Sequence, residues 1–192
     1  MKIKIFFLGI SFVLLWSSAF SIAKISILYA PPLLILSLRF FLSFLICYTI
    51  IVFQNKKFNF SQKEFLLIII FGFFQNTIYL GFNFLSLSWV KAGLVVTINS
   101  LVPIIVVFLL FLIYRQKVSN LSFLGLFLGL LGIIGILINI EKNNFEFLGI
   151  LFCLLATISI SLATIIIKDM TSGKFLEIIC IQMLIGFLTI TP

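Results

Sequence analysis

Hydrophobic and polar positions are sharply segregated along this chain. Apolar tracts run over about 3–23, 33–53, 65–85, 92–114, 121–140, 147–167 and 175–192, with short polar turns between them. A roughly 30 Å hydrocarbon core needs about 20 apolar residues to cross it as a helix. The tracts predict about seven such helices. Barrel strands would be shorter and would alternate in polarity, which these do not. A helix also satisfies its own backbone hydrogen bonds where no water is available.

The stretch from 91 to 103, KAGLVVTINSLVP, departs from plain apolarity. A helix that only anchors in lipid has no use for Thr97, Asn99 and Pro103 in its middle. The stretch predicts a packed, polar-lined helix. Pro103 has no N–H, so it frees a backbone carbonyl that can bend the helix or bind a substrate. The helix after it carries Gly125, Gly129, Gly132 and Gly135, a drifting small stripe that predicts close helix packing.

Other polar residues fall on helical faces. Asn76, Tyr79, Asn83 and Ser86 share one on the third tract, as glue between helices or as the lining of a wet cavity. Ser17, Ser21 and Lys24 share one on the first, and Thr157, Ser161, Thr164 and Lys168 one on the sixth. Lys24 and Lys168 stand near tract ends, where a lysine either snorkels or gates. Arg39 lies about two turns inside the second tract, where a cation normally faces a cavity or a partner; the alternative is snorkelling to the interface. Trp16 is mid-tract, better placed as a cavity wall than as an interfacial anchor.

Composition removes several classes of function. The 192 residues are 63% hydrophobic and 9% charged, with a mean hydropathy of +1.37. No soluble domain has that balance. The net charge of +8 sits in the turns, so it points to membrane orientation and not to nucleic acid. Cys47, Cys153 and Cys180 lie in apolar tracts and read as small buried hydrophobes. There is no histidine, the commonest zinc ligand and acid–base group. No cofactor or metal is expected, and no span offers the paired base or carboxylate that intramembrane chemistry needs.

The turns set an orientation. Lys2, Lys4, Lys56, Lys57, Lys63, Arg115, Lys117, Lys168 and Lys174 fall on one side; Lys24, Lys91 and Lys142 fall on the other. The positive-inside bias then puts the amino terminus in the cytoplasm. Ser61 and Glu64 predict a capping box at the start of the third helix, and Glu177 stands in the first turn of the seventh. The opening residues also have a signal-peptide outline, a basic start and a small-residue Ser21-Ile22-Ala23. Six further spans argue for a mature first helix instead.

Ser17 and Lys24 are spaced like Ser161 and Lys168. Five spans separate the two units, so the second must enter the membrane from the opposite side. That is an inverted-topology repeat, a common plan among secondary transporters.

Six stretches in order carry a family resemblance: LLWSSAFSIAK, APPLLILSLRF, NTIYLGFNFLSLSWVKAGLVVTINSLVPII, GLFLGLLGIIGILI, LGILFCLLATISISLATIIIK and IQMLIGFLTITP. Together they resemble the EamA-like family of the drug/metabolite transporter superfamily. The resemblance implies ten helices in two inverted five-helix repeats. On that plan 1–140 is the first repeat and 141–192 an incomplete start of the second, so a fragment or truncated product is expected. Where the family often has Glu after its fourth helix, this chain has Gln116.

The fold class expected is an all-α polytopic membrane bundle. The function expected is a multi-pass secondary transporter, an exporter of small organic metabolites, in the plasma or inner membrane. Its partners are the lipid bilayer and a small-molecule substrate, with a homodimer as a further assembly state. The substrate-binding or gate residues expected are Trp16, Ser17, Lys24, Arg39, Asn76, Tyr79, Asn99, Pro103 and Lys168. The competing readings are a non-transporting assembly subunit or inactive truncated product, and an intramembrane enzyme.

Overall fold

A computed structural model describes residues 2–115, 119–138, 144–168 and 173–191. Gln116, which stands where the family often has Glu, and the turn residues Lys117, Glu141 and Lys142 lie outside them. The helices in chain order are α1 (Lys2–Ser26), α2 (Pro32–Phe53), α3 (Gln62–Gly72), a π-helical segment (Phe73–Leu80), α4 (Gly81–Ser86), α5 (Ala92–Asn99), α6 (Val102–Tyr114), α7 (Asn120–Ile138), α8 (Asn144–Lys168) and α9 (Phe175–Ile190). α3, the π-helical segment and α4 run on as one rod, and α5 and α6 as another, so the described elements make an all-α bundle of seven rods.

Among the described residues, five stretches are long and apolar enough to cross a membrane: Ile5–Ser26, Pro32–Phe53, Gln62–Ser86, Ala92–Tyr114 and Glu146–Lys168. About seven were expected; the other two rods, α7 and α9, are apolar as well, with the described stretches Phe123–Gly132 and Phe175–Ile190.

Local chemistry explains the boundaries. α2 begins at Pro32, where a missing N–H costs the helix nothing. α3 begins with the expected capping box. The Glu64 amide donates to Ser61 Oγ at 3.2 Å, and the Ser61 amide donates back to the Glu64 carboxylate at 2.8 Å. The fourth rod breaks at Ser100–Leu101, with Pro103 in the first turn of the new helix. In an unbroken helix residue 103 would donate to the Asn99 carbonyl, and proline cannot.

The interior is built on two seams. α9 packs along α2 and against α3 and the π-helical segment; α8 packs against α3–α4, α5 and α6. Leu36, Phe40, Ile68, Leu87, Val95 and Ile98 are buried between them. Two glycines permit these approaches. A Cβ on Gly186 of α9 would stand 2.9 Å from Asn76 Cβ and from the Phe40 ring. A Cβ on Gly149 of α8 would stand 2.7 Å from Val90 Cγ1.

The glycine stripe of α7 does not play that part. A Cβ at Gly125 or Gly132 would meet nothing within 4 Å, and at Gly129 only Ile104 Cδ1 at 3.5 Å, an ordinary contact. The expected close packing is therefore absent at these positions and found in α8 and α9 instead. α1 is also peripheral, with most of its large apolar side chains exposed, as suits a lipid-facing helix.

Candidate functional site

The polar residues of the interior converge where the fourth rod breaks. Asn99, the last residue of α5, donates from Nδ2 to Asn83 Oδ1 at 2.9 Å. Asn83 donates in turn to the Tyr79 carbonyl at 3.0 Å. The Thr157 hydroxyl of α8 lies 2.7 Å from the Cys153 carbonyl and 3.2 Å from Asn99 Oδ1. A hydroxyl has one hydrogen to give, so the shorter contact dominates and the Asn99 contact is the weaker branch. Ser86 donates to the Asn83 carbonyl at 2.8 Å and accepts from the Cys153 thiol at 3.1 Å. Asn83, Ser86, Cys153 and Thr157 are fully buried, and Asn99 is half-buried. Three membrane rods are thus joined by side-chain hydrogen bonds at one level.

A second polar contact flanks this network. Asn76, in the π-helical segment, donates from Nδ2 to the Gln182 carbonyl of α9 at 2.7 Å. Its Oδ1 is buried and has no hydrogen-bond partner. π-helical insertions are rare and occur often at functional sites. Here the insertion runs over Asn76 and Tyr79, both buried, and Ser159 of α8 donates to the carbonyl of Phe74 at 2.7 Å.

The remaining expected site residues sit apart from the network. Lys24 donates from Nζ to the carbonyls of Leu87 and Val90, in the turn after α4, the latter at 3.1 Å. Lys168 lies over the Tyr114 ring, 4.3 Å from its centroid, joining the far ends of α6 and α8. Trp16 and Arg39 line one small cavity with Phe20, Ala23 and Phe84. Pro103 is exposed at the start of α6. Ser17 is exposed and donates to the Leu14 carbonyl of its own helix, so it joins neither cluster. Ser161, its proposed counterpart, is buried and donates to the Thr157 carbonyl.

A cavity of about 650 Å³ lies between α6 and α7 and is walled by Ile104, Phe108, Phe111, Phe123, Phe127 and other apolar residues. Such a lining suits hydrocarbon, not a polar solute. Among the described residues no group of His, Cys, Asp and Glu could hold a metal.

Comparison with known proteins fits this picture of a polar-centred membrane bundle. The model of the EamA-like transporter family matches residues 3–138. The chain belongs to the EamA-like transporter family. It is similar to an uncharacterized transporter of Archaeoglobus fulgidus, 26% identical over 158 residues that make up 82% of this chain and 55% of that protein. The chain therefore spans about half the length of this curated relative. No solved structure matches it. The family is one of transporters.

Sequence patterns singled out Asn76, Tyr79 and Asn99 but gave no reason to join Asn99 to Thr157, or Asn76 to Gln182. Cys153, read as a small hydrophobe, is buried and also hydrogen-bonded. The signal available was the shared face of Asn83 and Ser86 with Asn76 and Tyr79.

Proposed function

We propose that this chain forms the core of a secondary transporter that exports small organic metabolites by alternating access. The observation that carries the reading is the hydrogen-bonded network at a broken membrane helix, in a chain of a transporter family. Discontinuous helices with freed carbonyls commonly form substrate sites near the bilayer midplane. The proposed site centres on Asn99, with Asn76, Tyr79 and Pro103 around the break. Lys24 and Lys168 serve as gates, Lys24 by holding the turn after α4 and Lys168 by holding Tyr114. Trp16 and Arg39 form a side cavity, and Ser17 takes part only when α1 moves. In this reading the transporter has two inverted five-helix repeats, and one rocks against the other.

The deciding experiment is cysteine accessibility. In a background with Cys47, Cys153 and Cys180 replaced by alanine, Thr157→Cys is labelled in membranes by an impermeant maleimide from each side. Alternating access is expected to expose it to both sides in turn. Labelling from neither side would leave the network as packing glue and favour a non-transporting assembly subunit.

In the orientation proposed, the amino terminus is cytoplasmic. Reporter fusions at Lys57 and Gly173 are expected to report cytoplasm, and a fusion at Trp89 the outside, from the asymmetry of basic residues. An outside signal at Lys57 overturns it.

A further inference from the structure

The small cavity beside α1 is lined by a charge with no counter-charge among the described residues. Arg39 lies about two turns after Pro32, roughly 10 Å along α2 from its start. Among the described residues no hydrogen bond or ion pair reaches its guanidinium, and Arg39 is exposed, as is Trp16 beside it. The described carboxylates are engaged or placed elsewhere: Glu64 in its cap with Ser61, Glu146 in the first turn of α8, and Glu177 in the first turn of α9. An unpaired cation inside a membrane span is costly and normally faces a partner or a wet cavity. The cavity Arg39 lines is about 40 Å³, walled by Trp16, Phe20 and Phe84. A cavity needs about 10–15 Å³ of such space to admit one water, so this one admits a small polar group. Ala23 forms part of its wall, and the next residue, Lys24, is tied to the Leu87 and Val90 carbonyls.

We propose that Arg39 and Trp16 form a binding site for one carboxylate or phosphate group. A guanidinium presents a planar fork of donors that matches either oxyanion. The indole supplies an apolar wall that keeps water from competing. Two sources could deliver the group, a soluble organic anion or an anionic phospholipid headgroup. Naming the soluble anion as cargo rests on the transport reading above; the binding itself does not.

The test uses Trp16 as the reporter. The chain has two tryptophans, and Trp89 stacks on Phe152, so Trp89→Phe keeps a ring there and leaves Trp16 alone. The full chain is placed in phosphatidylcholine nanodiscs and titrated with phenylacetate and with neutral phenylacetamide. A parallel sample uses phosphatidylglycerol nanodiscs without added ligand. A soluble occupant gives a saturable change in Trp16 emission with phenylacetate and none with the amide. A lipid occupant gives a shift between the two nanodiscs. In either case Arg39→Gln is expected to weaken the response at least tenfold. Arg39→Lys keeps the charge but loses the fork, and weakens it less. Size-exclusion profiles check that both variants fold; if Arg39→Gln does not, Arg39→Lys must still weaken binding. No response to either anion, or a response unchanged in the folded variants, overturns the proposal and leaves Arg39 as a side chain reaching for interfacial water. Because nothing is transported in this assay, its failure is separate from any failure of Thr157→Cys to alternate.

Discussion

Replacing Gly186 by leucine is expected to abolish the folded bundle. Even the first added carbon would stand 2.9 Å from both Asn76 Cβ and the Phe40 ring, closer than real Cβ atoms approach. Neither neighbour can yield easily. Phe40 is buried on α2, and Asn76 is fully buried in the π-helical segment with its amide bound to the Gln182 carbonyl. Extra methylenes forced into a packed core typically cost about 1–3 kcal/mol, so Gly186→Ala is expected to lower the melting midpoint in detergent while leaving a folded species. Leucine adds three more carbons and should part α9 from α2 altogether. Size-exclusion chromatography in mild detergent provides the check: a lost or aggregated peak for Gly186→Leu, a normal peak for Gly132→Leu. The second variant has open space beside it, so it separates a steric effect from a general intolerance of glycine replacement. A monodisperse Gly186→Leu peak with unchanged melting would show that α9 does not seat on α2 in this way.

The same pair of glycines shows what the sequence could and could not tell. Spacing alone drew attention to α7, where four glycines recur at helical intervals. It passed over Gly186 and Gly149, each isolated in its helix. A small-residue stripe says that close approach is permitted, not that a neighbour has come. Which glycine is used depends on where α8 and α9 cross the third rod, a tertiary fact with no periodic signature. Membrane class, helix content and the capping box at Ser61 were legible because each follows from local chemistry: apolar length, or one side chain bonding one backbone. The break in the fourth rod was legible for the same reason, since Pro103 alone removes the hydrogen bond. The π-helical segment left no readable mark, because FFQNTIYL has nothing in it that a plain α-helix would refuse.

Legibility was poorest for the polar network, and that network gives the second large expected effect. Asn99→Leu removes the donor to Asn83 Oδ1 and the acceptor facing Thr157. Asn83 is fully buried, so its oxygen would be left without a partner. Mutational data on buried polar groups put that penalty at about 1–3 kcal/mol. Side-chain hydrogen bonds between membrane helices average only about 0.6 kcal/mol, because the unfolded chain in a bilayer also finds partners. The two figures answer different questions: the smaller is a bond's net worth, the larger the cost of stranding one partner in a site that keeps its shape. The single substitution tests the second case, so a loss near 1–2 kcal/mol is expected. Asn83→Leu should cost as much or more, since it also strips the Tyr79 carbonyl of a donor. The double variant Asn83→Leu/Asn99→Leu strands neither amide, and its loss should fall short of the sum by about 0.5–2 kcal/mol, as for directly bonded residues. Reversible unfolding in detergent micelles measures all three. Strict additivity would mean that the two amides do not share a bond, and with it would go the tie between α4 and the broken end of α5 on which the proposed site is built.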